Sequence, residues 1–184
     1  GFEHGAHAHG IRAEGGAIRV GALTTMTELL ESELVRERLG ILRAACDHFA
    51  SDQLRNAATL GGNICNASPA GDTLVPLLVL NARVVLVSKP NGSIARRAVP
   101  LAEFFAGPGR TQRLPGELLT EIEIPEPPAG FHGMFFKFGT RPALDISTIA
   151  IGLGAVRDAG RLRDVRVAYG SVAPTPIRGP LTEA

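Results

Sequence analysis

Gln53-Leu-Arg-Asn-Ala-Ala-Thr-Leu-Gly-Gly-Asn-Ile-Cys-Asn-Ala-Ser-Pro-Ala-Gly-Asp72 is the stretch on which the reading of this chain turns. Apolar periodicity, clear on either side, stops here, and glycines, asparagines and small residues take over. The spacing therefore predicts a long irregular segment over 51–71, and irregular segments of that length inside a compact domain are commonly functional. Gly61 and Gly62 admit backbone angles closed to other residues and let main-chain amides approach a ligand without an intervening Cβ. Thr59, Asn63, Asn66 and Ser68 add short hydrogen-bonding side chains. Asp72, at a predicted helix start, offers a carboxylate suited to sugar-type hydroxyls. The cluster suits a polyol–phosphate ligand, yet it matches neither GxGxxG nor GxxxxGK[ST], and a purely structural glycine turn stays open beside it.

Upstream, the alternation of Ala17-Ile-Arg-Val-Gly-Ala-Leu23 predicts a strand. Thr25-x-x-Glu28 then forms a capping box that opens a helix from about Met26, broken or bent near Ser32. Leu34, Val35, Leu39, Leu42 and Ala45 continue at helical spacing up to Phe49, as one helix or as two divided at Gly40. Downstream, Asp72 is positioned to cap a short helix over 73–80, apolar nearly all round and hence buried, with Pro76 in its first turn. Residues 83–88 and 93–99 flank Asn91-Gly92, which predicts a hairpin. Leu118-Leu-Thr-Glu-Ile-Glu-Ile-Pro125 alternates as a half-buried strand. Residues 126–130, rich in proline and alanine, read as a linker. Beyond them, 134–138, 146–157 and 161–169 predict an antiparallel meander whose second face lacks a cover.

Totals exclude several classes. Nineteen basic against eighteen acidic side chains give a net charge of +1, without the clustered basic excess of a nucleic-acid binder. The two cysteines, Cys46 and Cys65, form no CxxC, which argues against a disulfide framework or an iron–sulfur cluster held by this chain alone. Unpaired thiols suit a reducing cytoplasm. No apolar run reaches the roughly 18 residues of a membrane-spanning helix. His4, His7 and His9 sit among glycines and alanines; a metal site is weighed there against a mobile loop, and the loop is favoured because ligands need a fixed second shell.

Several collinear blocks resemble one family. Leu54-Arg-Asn-Ala-Ala-Thr-Leu-Gly-Gly-Asn-Ile-Cys-Asn66 with the following Ser-Pro-x-x-Asp72 is similar to the second FAD-binding motif of the FAD subunits of xanthine dehydrogenase-type molybdenum hydroxylases. Ile18-Arg-Val-Gly-Ala-Leu-Thr-Thr25, Phe104-Phe-Ala-Gly-Pro-Gly109 and Glu121-Ile-Glu-Ile-Pro125 resemble further blocks in order. Phe136-Lys-Phe-Gly-Thr-Arg141, Leu144-Asp-Ile146 and Val167-Ala-Tyr-Gly-Ser-Val-Ala-Pro-Thr-Pro-Ile-Arg178 resemble the family's C-terminal domain.

The resemblance implies an α+β chain. Residues 1–128 form a PCMH-type FAD-binding domain lacking its N-terminal subdomain. Residues 129–184 form part of an antiparallel-sheet C-terminal domain, that of the CO dehydrogenase flavoproteins. The family's Ala-Gly-Gly-Thr-type pyrophosphate loop has no counterpart in residues 1–16, and the chain reads as an excerpt. By the same resemblance Thr59, Gly61, Gly62 and Asn63 match the loop that contacts FAD, and Asp72 the acid beside it. Phe49 matches an aromatic position near the cofactor, with the last core residue of a helix as its alternative. Leu119 and Lys137 match contacts from later strands. A lysine ammonium at the flavin's pyrimidine edge stabilises the anion formed on reduction, against an exposed strand lysine. Arg141 and Asp145 resemble the loop flanking the flavin face where nicotinamide arrives.

The implied role is electron transfer from [2Fe–2S] clusters through FAD to NAD, with the molybdopterin and iron–sulfur centres on partner subunits. Purine oxidation is the expected setting, and no nucleophile, general base or metal ligand on this chain is expected. The alternatives are a scaffold that has lost FAD, or the flavoprotein of a hydroxylase acting on carbon monoxide, nicotinate or aldehydes.

Overall fold

A computed structural model describes residues 8–140 and 146–183 of the 184-residue chain. Strands β1 (Ile11–Glu14) and β2 (Ala17–Gly21) form a hairpin, then three short helices follow: α1 (Met26–Glu31), α2 (Glu33–Arg38) and α3 (Gly40–Asp47). The expected capping box opens α1: Thr25 Oγ1 accepts from Glu28 N at 3.2 Å, and Thr25 N donates to Glu28 Oε2 at 2.8 Å. Ser32 ends α1 and caps α2, and Leu39 separates α2 from α3, so the periodic run folds as two helices. β1 carries no expectation from the sequence; its four residues are too few and too exposed to alternate visibly.

The segment predicted to be irregular is mostly helical. It folds as α4 (Asp52–Ala57) and α5 (Leu60–Asn66), joined by two residues. Ser51 caps the first, accepting from Leu54 N, and Thr59 caps the second, accepting from Gly62 N. These caps hold helices of less than two turns in which few apolar residues mark a face.

Helix α6 (Leu74–Val79) follows, and every one of its residues is buried. Strands β3 (Arg83–Ser88) and β4 (Ala95–Pro100) form the expected hairpin, with Asn91 and Gly92 at φ 51° and 84°. A short α7 (Leu101–Phe104) and the small ribbon β5 (Phe105–Gly107) and β6 (Arg110–Thr111) lead into β7 (Leu118–Pro125), whose limits coincide with the alternating stretch. The first sheet has the order β1-β2-β7-β3-β4, all antiparallel.

Strands β8 (Phe131–Phe138), β9 (Ile149–Asp158) and β10 (Arg161–Gly170) form the expected meander, extended by β11 (Ile177–Arg178) in the order β11-β10-β9-β8, and α8 (Pro180–Glu183) packs on β10. One face lies on α3 and α6. The approach is close because that face is lined with glycine. A Cβ on Gly152 would stand 2.8 Å from Val75 Cγ1, and one on Gly154 would stand 2.6 Å from Val79 Cγ1. On the opposite face Met134, Phe136, Phe138 and Leu153 are exposed, as expected for a face without a cover. Among the described residues no helix is long and apolar enough to cross a membrane.

The outer face of the first sheet is charged instead. Glu121 on β7 is 2% exposed, and its carboxylate accepts from Arg19 Nη1 at 2.7 Å, from Arg96 Nη2 at 2.9 Å and from Arg12. Burial alone pushes the Glu121 carboxyl up; the hydrogen bonds and positive charge of Arg19 and Arg12 outweigh it and hold the group below the usual carboxylate range.

A carboxyl whose folded value is depressed stabilises the fold above the unfolded value, about 4.3 for glutamate. That stability fades as pH falls through the lower folded value. Glu121→Gln is therefore expected to flatten the acid limb of a plot of melting temperature against pH. A limb as steep as that of the parent protein would contradict this assignment.

Candidate functional site

The expected site residues converge in part. Thr59, Gly61, Gly62 and Asn63 form the cap and first turn of α5, which packs against β7, the strand that carries Leu119. Asn63 Oδ1 accepts from Thr73 Oγ1 at 2.7 Å, which ties α5 to the residue after Asp72. Asp72 in turn reaches the second sheet: Lys137 Nζ on β8 donates to Asp72 Oδ2 at 2.7 Å, and Ser147 Oγ donates to Asp72 Oδ1 at 2.9 Å. Thr59, Asn63, Thr73, Asp72, Lys137 and Ser147 thus form a polar seam from α5 to the start of β9.

Two expectations need correction. The glycine pair was expected in an irregular loop with unusual backbone angles and donors free for a ligand. Instead both glycines are helical, and the first amides of α5 are already engaged. Leu60 N donates to Thr24 O and Gly61 N to Ala22 O, each at 2.9 Å, and Gly62 N donates to Thr59 Oγ1 at 3.1 Å. Gly61 is needed for a different reason: a Cβ there would lie 2.6 Å from Ala22 Cβ and 2.7 Å from Ala22 O. Asp72 does not cap α6, whose N-cap is Thr73 without a side-chain bond, because its carboxylate is committed to Lys137 and Ser147. For Lys137 the alternative of an exposed strand lysine falls: its side chain is 12% exposed and is paired with the buried Asp72.

Phe49 follows the C-terminal end of α3, half-buried against the core, and its carbonyl accepts from Arg55 Nη1 at 3.0 Å. Leu119 is half-buried, opposite Leu86 on β3. Arg141 and Asp145 lie outside the described residues, as do His4 and His7. His9 is described; its Nε2 stands 3.5 Å from Glu28 Oε1. Among the described residues no group of histidine, cysteine and acidic side chains has the arrangement of a metal site. Ser147 and Thr73 were not foreseen. A lone serine ahead of a strand, and a threonine at the head of an apolar helix, leave no sequence signal.

Gly62 is exposed on the first turn of α5, beside the partly buried Asn63, and the buried Asp72 with its partly buried partner Lys137 continues the seam. A ligand with hydroxyl and carbonyl groups fits this set. Thr59 and Asn63 offer neutral hydrogen-bonding atoms, the glycine keeps the approach open, and Lys137 offers a cation.

Residues 6–127 match the family described as the FAD binding domain in molybdopterin dehydrogenase, and the chain belongs to that family. Over 167 residues it is 39% identical to the xanthine dehydrogenase FAD-binding subunit of Escherichia coli O157:H7, covering 90% of this chain and 56% of the relative. The carbon monoxide dehydrogenase medium chain of Afipia carboxidovorans is 33% identical over 168 residues, covering 91% of this chain and 57% of that one. Among solved structures, carbon monoxide dehydrogenase from Hydrogenophaga pseudoflava superposes with a TM-score of 0.87 at 32% identity, covering 94% of this chain and 58% of that one. The chain spans about half the length of the curated relatives it matches. The expected α+β class is borne out by these likenesses and by the two sheets.

Two substitutions test this local geometry. Gly61→Ala is expected to cost about 2 kcal/mol in urea denaturation, since the new methyl meets the Ala22 backbone. Asp72→Asn strands the Lys137 charge and is expected to cost about 3 kcal/mol, much of it recovered in the double variant Asp72→Asn/Lys137→Met. Equal losses in the single and double variants would disprove the pairing.

Proposed function

We propose that this chain is the FAD-binding portion of a molybdenum hydroxylase subunit, divided into residues 1–128 and 129–184 as the resemblance implies. It stands between [2Fe–2S] clusters on one partner and NAD as acceptor, while a molybdopterin-binding partner oxidises the substrate. The observation that carries this reading is the family match over residues 6–127, which contains α5, its cap and Asp72.

Bound FAD supplies the two-electron chemistry, and the protein's share is to bind, orient and tune it. Thr59, Gly62 and Asn63 present the first turn of α5 to the cofactor, Gly61 seats that turn on Ala22, and Leu119 and Phe49 supply apolar surface. Lys137 holds a positive charge where negative charge develops on reduction, and a fixed cation there favours the reduced state. Asp72 keeps that cation in place. No side chain acts as nucleophile or general base.

Purine oxidation is supported by the 39% identity to a xanthine dehydrogenase subunit. Relatives named for carbon monoxide and for nicotinate keep those substrates as alternatives, because the substrate is chosen on the molybdenum partner. A reducing cytoplasm suits the two unpaired cysteines. A second reading draws on the engaged amides of α5: a scaffold that keeps the fold, holds no flavin and only docks the other subunits.

The test is the full-length protein, reconstituted with excess FAD and passed through gel filtration. Retention of a yellow, stoichiometric flavin that NADH reduces is the expected result. A colourless protein that still co-purifies with its partners establishes the scaffold instead.

A further inference from the structure

Two stretches of chain that enter and leave one loop are gripped by one buried carboxylate. The connection from β8 to β9 begins after Phe138 and closes where Thr148 N donates to Phe138 O at 2.8 Å. Each stem sends one side chain to Asp72: Lys137 precedes the closure and Ser147 directly adjoins it. The two donors take different oxygens, Nζ on Oδ2 and Oγ on Oδ1. Asp72 is 7% exposed and Ser147 is 5% exposed, so solvent does not replace either contact cheaply.

We infer that Ser147 is a positioning residue for the cofactor site, fixing the Asp72 carboxylate so that Lys137 is held at one place. The physical reason lies in the freedom of the partners. A lysine ammonium is a point charge on a flexible four-carbon stem, and any orientation of a carboxylate satisfies it about equally well. A salt bridge to Lys137 alone therefore does not define where the cation stands. A hydroxyl on the other oxygen, delivered from the opposite stem of the same loop, sets the plane of the carboxylate and with it the direction of Oδ2. An ammonium carries three donors, so engagement with Asp72 still lets it donate to a bound ligand. The second oxygen also matters for satisfaction. Among the described residues Ser147 supplies the hydroxyl on Asp72 Oδ1, and without it the carboxylate must turn or admit water.

The cofactor half of this inference rests on the flavin reading above; the geometric half does not. The experiment therefore uses two readouts on full-length parent protein, Ser147→Ala and Ser147→Thr. The first needs no flavin: apoprotein is treated with an amine-acylating reagent, and modification of Lys137 is followed by peptide mass spectrometry. Ser147→Ala is expected to raise the acylation rate at Lys137 by about tenfold relative to the parent, and Ser147→Thr, which keeps the hydroxyl, to restore it. The second is the bound flavin: Ser147→Ala is expected to lower its midpoint potential and to weaken FAD retention by about tenfold, which is about 1.4 kcal/mol.

An unchanged acylation rate in Ser147→Ala overturns the positioning role outright. Faster acylation with the flavin's potential and affinity unchanged confines Ser147 to holding Lys137 and overturns its role at the cofactor site. Should the parent protein hold no FAD, the flavin reading falls, and the cofactor half of the inference falls with it. The acylation comparison would still decide whether Ser147 governs Lys137. A melting temperature for each variant separates these outcomes from loss of fold.

Discussion

Everything in this molecule hangs on how closely α6 lies against the second sheet. The helix is buried on all sides, and Val75 and Val79, near its two ends, enter a strip of β9 and β10 lined by glycine. Besides the contacts at Gly152 and Gly154, a Cβ on Gly170 would stand 2.9 Å from Val75 Cγ2. Helix and sheet thus interlock at nearly backbone distance, where dispersion contacts are most numerous and a single added methyl is felt. One turn earlier, the same stretch of chain carries Asp72 and Thr73. The packing that fuses the two sheets into one body therefore also sets Asp72 within reach of β8.

This accounts for a buried ion pair in a place where one is costly. Removing a carboxylate and an ammonium from water is unfavourable, and their mutual attraction recovers the loss only when geometry and additional hydrogen bonds are good. Apolar residues of similar size at 72 and 137 would serve the fold as well or better. A pair retained at the joint between sheets, with a serine to complete it, makes more sense as a device for placing charge than as a source of stability. The Glu121 network on the outer face of the first sheet differs. Its arginines remain partly exposed, their charges are screened, and that face is finished for water.

The sequence disclosed elements whose signals are periodic and missed those whose signals are local. β7 was legible to the residue because Ile122 and Ile124 alternate with Glu121 and Glu123 on a sheet with one wet face. The capping box at Thr25 and the Asn91–Gly92 turn were legible because each names a backbone geometry. α4 and α5 were not. Their few apolar residues mark no face, and their stability comes from Ser51 and Thr59 as caps and from the bonds that Leu60 N and Gly61 N donate to Thr24 O and Ala22 O. The same residues illustrate how a motif can be found for an incomplete reason. Gly61 drew attention as a residue that opens backbone to a ligand, yet its neighbour at contact distance is Ala22. Asp72 and Lys137 were each singled out, but not as partners, since 65 positions separate them and no periodicity joins them. Ser147 was beyond reach, because only the folded register of β8 and β9 brings it to Asp72.

The two thiols sharpen the division of labour between chain and cofactor. Burial pushes the Cys46 thiol up to about 12, with the Asp72 charge acting in the same direction, and burial raises the Cys65 thiol as well. Both are therefore protonated at neutral pH, where a thiol is a poor nucleophile and a poor redox partner. The seam beside them carries a hydroxyl set, an amide and one balanced ion pair, none of which accepts electrons. Under the proposed function such a site works by holding charge still: Lys137 is close to a carboxylate that cancels its field at a distance but leaves it strong at contact. An electron acceptor seated against that ammonium is stabilised on reduction, while the rest of the protein sees a nearly neutral pair.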